Sequence, residues 1–158
     1  GGIIVKEMQI VVFTLNGEVC GVDASQVKEI VKFEGLTKMP KMPKFIDGIL
    51  NLRGIVVPVV NLIKRFNLGN EEITKKTKII IIEVEEKLIG FIVDDVTEIL
   101  KLSSQNIEST PDIIQKSYNH YLEYVGKKDD KLISILDLTN VLTDTELDKL
   151  DQEEFENY

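Results

Sequence analysis

Apolar positions along this chain come in short, dense runs broken by glycine, asparagine and charged pairs. The first run alternates, setting Val11, Phe13 and Leu15 on one side of an extended segment. Asn16-Gly17 then signals a hairpin turn, and a second strand runs through Cys20. Beyond it Val27, Ile30 and Val31 fall at helical spacing with Asp23 or Ser25 as a cap, so a short helix is expected there. Two more strands are expected, Ile49 to Leu52 and Val56 to Asn61, joined at Arg53-Gly54. Pro58 cannot donate to a ladder, which predicts an edge strand or a bulge. Farther on, the aliphatic stretch Ile79 to Ile82 reads as a buried strand. Thr143 with Glu146 fits a capping box that opens a final helix, with Leu147 and Leu150 as its apolar edge.

The same succession occurs twice. Residues 10–31 align without a gap on residues 79–100, placing Gly21 on Gly90, Val27 on Val96, Glu29 on Glu98 and Ile30 on Ile99. Residues 45–66 align in the same way on 121–142, so Val59 meets Ile135 and Leu62 meets Leu138. Matched glycines and two blocks in the same order mark an internal duplication. In the second copy the turn is Glu85-Glu86, the strand runs through Ile89, and the helix-like set is Val96, Ile99 and Leu100. Short, regularly interrupted strands suggest small barrels rather than a wound α/β sheet. Two barrels facing each other would bury a third core between them. The expected fold is all-β: two small barrels, roughly 10–66 and 79–142, with short helices and an acidic C-terminal helix or tail over 143–158.

Composition narrows the function. The 158 residues are 43% hydrophobic and 29% charged, an ordinary globular balance. No apolar run approaches the roughly 20 residues of a bilayer-spanning helix, so no direct membrane insertion is expected. The start, Gly1-Gly2-Ile3-Ile4-Val5-Lys6, lacks the pattern of a secretory signal. Cys20 is the single cysteine, with no histidine near it in sequence, which predicts a buried inert thiol in a reducing cytoplasm. A net charge of −8 and the absence of Trp argue against nucleic-acid binding.

Catalytic equipment is hard to find. His120 is the only histidine, which excludes triads and multi-histidine metal sites, and no phosphate-cradling glycine motif occurs. No cofactor or metal is expected. Asp94-Asp95 is the one acid pair that could support a small-molecule-binding or hydrolytic β-barrel, although a cap-and-turn role fits the pair better. Arg53 stands out instead. With Arg65 it is one of two arginines among 19 basic residues, and it sits at a glycine turn, where its forked donors suit specific recognition of a partner.

Asn51-Leu52-Arg53-Gly54 followed by Val57-Pro58-Val59-Val60-Asn61-Leu62 resembles the signature of CheW-type chemotaxis coupling proteins. The segments VVFTLNGEVCGVD, GFIVDDVTEIL and LISILDLTNVL are similar to the same family, and the resemblance runs from about Gln9 to Leu142. It implies two SH3-like five-stranded β-barrels in pseudo-two-fold relation, within a domain spanning 9–142. It also implies a non-enzymatic adaptor between the cytoplasmic tips of methyl-accepting chemotaxis receptors and the histidine kinase CheA, bound through that kinase's CheW-like regulatory domain. Location in the cytoplasm, in receptor arrays at the inner face of the membrane, follows from the same resemblance. A CheV-type fusion with a receiver domain after Leu142 is not expected, nor is the kinase itself, whose ATP-binding region has no counterpart in these residues. A coupler of a non-swimming chemosensory system would carry the same signature.

Carried over by position, the receptor-binding groove comprises Val27, Ile30, Arg53, Gly90, Val96 and Ile99. The kinase-binding face comprises Glu29, Phe33, Arg53 and Val56. A second kinase contact maps to Asp112 and Ile113.

Overall fold

The computed structural model describes residues 6–110 and 121–150. Strands β1 (Glu7–Leu15) and β2 (Glu18–Asp23) form a hairpin, followed by β3 (Val27–Lys32), then the hairpin β4 (Gly48–Leu52) and β5 (Ile55–Asn61), and the one-turn helix α1 (Leu62–Arg65). The second copy gives β6 (Lys78–Val84), β7 (Lys87–Val93), β8 (Asp95–Ser103), a short β9 (Ile107–Ser109), β10 (Leu122–Lys128) and β11 (Lys131–Leu136), and ends in helix α2 (Asp144–Lys149). Among the described residues no helix is long and apolar enough to cross a membrane.

Two curled sheets result, ordered β3-β6-β7-β5-β4 and β8-β1-β2-β11-β10-β9. Apart from the added β9, the second order is the first with every strand replaced by its repeat mate. The all-β, pseudo-two-fold expectation therefore holds, but the two sheets do not follow the halves of the sequence. Each inserts the leading hairpin of one half between strands of the other. Within 10–66, for example, β3 pairs with β6 rather than with a strand of its own half.

The matched glycines have one physical cause. Gly90 lies opposite Val59 in the parallel β5–β7 pair, and Gly21 lies opposite Ile135 in the parallel β2–β11 pair. A Cβ at Gly90 would sit 2.8 Å from Ile79 and 3.2 Å from Val59, and one at Gly21 would collide with Ile10, the repeat mate of Ile79. A side chain at either point would crowd the core of its barrel.

Alternation sorts the side chains into three cores. Ile10 and Val12 fill one barrel with Ile133 and Ile135, and Ile79 and Ile81 fill the other with Val57 and Val59. Val11, Phe13 and Leu15 meet Ile80, Ile82 and Val84 in the largest cluster, between the sheets. β1 and β6 are therefore buried on both faces, and Ile79 to Ile82 are all fully buried.

Two local expectations are corrected. The segments of helical spacing are strands, preceded in the first copy by a single 3-10 turn, Ala24–Gln26, that Asp23 caps through Ser25 N. A bulge skips Lys28 in the β3–β6 ladder, so Val27 pairs with Ile82 and Ile30 with Ile80. Thr97, the repeat mate of Lys28, is skipped in the same way, so Val96 pairs with Phe13 and Ile99 with Val11. A bulge brings residues three apart onto one face of a strand, which imitates a helical stripe. Pro58 is likewise in an interior strand and pairs in register with Ile49. Val59 O accepts from Asp47 N at 2.9 Å, so Pro58 nitrogen faces β7, whose ladder begins only at Val59. No donor is missing there.

The capping box of α2 forms as expected: Thr143 N donates to Glu146 Oε1 at 2.9 Å, and Glu146 N to Thr143 Oγ1 at 3.1 Å. Leu147 and Leu150 pack on the central core.

Candidate protein-docking interface

β3 and β8 are edge strands of the two sheets, and the bulges set two apolar side chains of each in register with central-core residues of the neighbouring strand. Val27, Ile30 and Val96 are half-buried against that core. Ile99 is 62% exposed, a large cost in apolar area for a side chain without a partner. These four residues form the apolar rim of the inter-barrel face. Gly90 does not share it, because it is buried in a barrel wall and its missing side chain would point into that barrel's core.

Glu29, the residue after the Lys28 bulge, pairs with Ile81 and so projects on the opposite face from Val27 and Ile30. The β4–β5 turn carries Arg53 at φ 51° and Gly54 at φ 88°, the left-handed pair of a tight hairpin turn. Asn51 Oδ1 accepts from Gly54 N at 2.8 Å and shapes the turn. There Arg53 grips Glu29 with both terminal nitrogens, Nη1 to Oε1 at 2.9 Å and Nη2 to Oε2 at 2.7 Å. β3 and β4 are the two edges of one sheet, so this fork spans the barrel seam, as does the isolated bridge between Thr37 and Ile49. The hydrogen bond from Arg53 holds the Glu29 carboxyl below its usual range. The Arg53 side chain is nonetheless 71% exposed, leaving the face of its guanidinium open to a partner.

The remaining kinase-face candidates lie on the same barrel. Phe33 follows β3, is half-buried on that barrel's core, and donates its N–H to Thr77 O at 3.1 Å. Val56 is half-buried on β5 opposite Asn51. Asp112 and Ile113 lie outside the described residues.

The repeat mates of Glu29 and Arg53 are Glu98 and Asp129, so the second barrel has two acids where the first has its fork. That barrel carries β9 against β10 instead, with Lys127 on Glu108 at 2.7 Å. The fold is doubled and this site is not.

Sequence reading missed several polar partners. Arg65 forks onto Glu146 at 2.7 and 2.6 Å and donates to Val141 O at 3.0 Å, tying α2 to α1. Asn61, in the signature run, caps α1 through Ile63 N and Lys64 N. Asp47 accepts from Asn61 N at 2.7 Å and from Lys64 Nζ at 3.1 Å.

Asp94 and Asp95 are both engaged in holding the corner between β7 and β8. Asp94 Oδ2 accepts from Asn16 N at 2.6 Å, and Asp95 pairs with Lys78 at 3.5 Å. No group of His, Cys, Asp or Glu able to hold a metal occurs among the described residues. Cys20 is buried, and burial pushes its thiol up to about 12, so it is almost wholly protonated at neutral pH.

Residues 9–146 match the CheW-like domain family. The chain is 37% identical over 134 residues to the chemotaxis protein CheW of Bacillus subtilis, covering 85% of this chain and 86% of that one. It is 30% identical over 149 residues to the chemotaxis protein CheW of Treponema pallidum, covering 92% and 88%. Among solved structures, the scaffolding protein TtCheW from Thermoanaerobacter tengcongensis superposes with a TM-score of 0.78 at 38% identity, covering 87% of this chain and 89% of that one. With the family match over residues 9–146 and relatives and a solved structure aligned over most of its length, the chain belongs to the CheW-like family of chemotaxis scaffold proteins.

Proposed function

We propose that this chain is a non-enzymatic adaptor that couples methyl-accepting chemotaxis receptors to the histidine kinase CheA. It would work in the cytoplasm, in receptor arrays at the inner face of the membrane. Family membership supports the coupling role, and the relatives from Bacillus subtilis and Treponema pallidum carry the name chemotaxis protein CheW. The observation that carries the reading is the asymmetric site: an exposed arginine fork on one barrel only, on the strand face opposite an apolar rim.

The rim of Val27, Ile30, Val96 and Ile99 offers a helical receptor hairpin the apolar surface that helix-in-groove recognition needs, while Arg53, held by Glu29 on the opposite face of β3, lies outside that rim. Gly90 contributes by leaving the barrel core uncrowded rather than by touch. Glu29, Phe33, Arg53 and Val56 on the fork-bearing barrel supply the face for CheA's CheW-like regulatory domain, and Asp112 and Ile113 a second contact. The functional unit is residues 9–142, with 143–158 as an accessory tail.

The test separates the two partners. Ile99→Asp and Ile30→Asp should weaken binding of a receptor-tip hairpin by tenfold or more and leave the kinase domain bound. Loss of neither, in folded protein, removes the groove assignment.

A further inference from the structure

Neither half of the duplicated chain pairs its own hairpins into a sheet. In the first half β1 pairs with β2 and β4 with β5, while β3 has its ladder on β6. In the second half β8 has its ladder on β1. The joins that link one hairpin to another or to β3 and β8 are β1–β8, β2–β11, β3–β6 and β5–β7, and all four run between halves, while only the short β9 adds to a hairpin of its own half, on β10. The central core is shared in the same way, with Phe13 and Leu15 from one half and Ile82 and Val84 from the other.

None of these joins requires both halves to belong to one chain. The connection between them, residues 67–77, is exposed from Gly69 to Lys76 and forms no strand or helix. It turns back through two left-handed residues, Asn67 at φ 55° and Gly69 at φ 114°. Asn16 Nδ2 to Leu68 O, at 2.5 Å, ties it to the first hairpin, and the bonds among Thr74, Lys76 and Thr77 are local.

We propose that this chain exchanges halves with a second copy of itself. Residues 78–150 of each would complete the sheets begun by residues 6–66 of the other, with the 67–77 connection extended between them. A second copy is the occupant because it presents the same strands in the same register, including the bulges at Lys28 and Thr97 and the bare wall at Gly21 and Gly90. The intertwined dimer carries two complete docking faces on one particle, a bivalent scaffold, and stands apart from the coupling reading. Folding back within one chain has an effective concentration of roughly millimolar, so exchange competes at such concentrations or when the connection is too short to turn back.

The pair Cys20 and Ser134, in register across β2–β11, provides the test. Neighbouring strands lie about 4.8 Å apart, within reach of a disulfide. The full chain carrying Ser134→Cys is unfolded in denaturant, refolded at about 10 μM and at about 1 mM, oxidised, and separated by size with mass detection. A second form lacks residues 69–75. The expected result is a dimer that grows at least tenfold in fraction between the two concentrations, persists after dilution, and runs as a covalent dimer in denaturing, non-reducing gels. The monomer peak carries its disulfide within one chain. A dimer with only intrachain disulfides is a side-by-side association and overturns the proposal. So does a chain that refolds as monomer at both concentrations, and if the shortened form fails to fold, the intact chain decides.

Discussion

Arg53 and Glu29 lie on opposite edges of one sheet and are joined by a two-pronged ion pair at 2.9 and 2.7 Å. An ion pair this exposed is held in solvent and contributes little to folding. Arg53→Glu should therefore leave the thermal midpoint within a few degrees of the wild type while bringing two carboxylates together at the barrel seam. Circular dichroism melts would check this. A collapse of the fold would make Arg53 a structural residue.

The two bare points in the barrel walls give a sharper stability prediction. Gly90→Ala places a methyl 2.8 Å from Ile79, and Gly21→Ala places one against Ile10. Each should lower stability by roughly 1–3 kcal/mol by overpacking, read from urea midpoints. Wild-type stability with lost partner binding would mean that Gly90 is a contact residue after all.

Hairpin turns in the second copy are unrelieved. Glu85 and Glu86 adopt φ 51° and 70°, the conformation that Asn16 and Gly17 adopt at 48° and 84° in the first copy. A residue with a Cβ held left-handed costs on the order of 1–2 kcal/mol. Glu85→Asn combined with Glu86→Gly should raise stability by about 1 kcal/mol, because the 3.8 Å contact of Glu85 with Lys87 is largely solvent-exposed on the Glu85 side. An unchanged or lower melting temperature contradicts this.

Acid should release the C-terminal helix. Burial raises the Glu146 carboxyl, but the hydrogen bonds from Arg65 and Thr143 outweigh it and leave it lowered from 4.5. A lowered carboxyl stabilises the fold fully above its ordinary value and loses that contribution as pH falls through the lowered one. Methyl NMR signals of Leu147 and Leu150 should thus report undocking on acidification. Glu146→Gln should cost about 1–2 kcal/mol at neutral pH and remove that component. An unaltered acid profile in the variant would assign the effect elsewhere.

Much of this fold was legible because the duplication repeats not only apolar residues but the reasons for them. Gly21 and Gly90 align because both lie across a parallel pair, and Asn16-Gly17 and Thr143 with Glu146 carry local chemistry that acts wherever it occurs. Three features were not legible. A bulge at Lys28 and Thr97 gives a strand the spacing of a helix, so Val27 and Ile30 imitate a helical face. Pro58 sits in an interior strand because its neighbour pairs only beyond it, which depends on ladder lengths. An alignment of halves also gives no sign of which half a strand will pair with, so the exchange of leading hairpins is invisible in it. At the site, Arg53 could be singled out by its rarity and its turn, whereas its engagement with Glu29 required the sheet to curl.

The most direct measurement is a calorimetric titration of this protein, wild type and Arg53→Glu, against the isolated regulatory domain of a cognate CheA. The coupling account predicts saturable one-to-one binding by the wild type and about a tenfold or greater weakening in the variant. Absence of binding by the wild type, with both proteins folded, would contradict it.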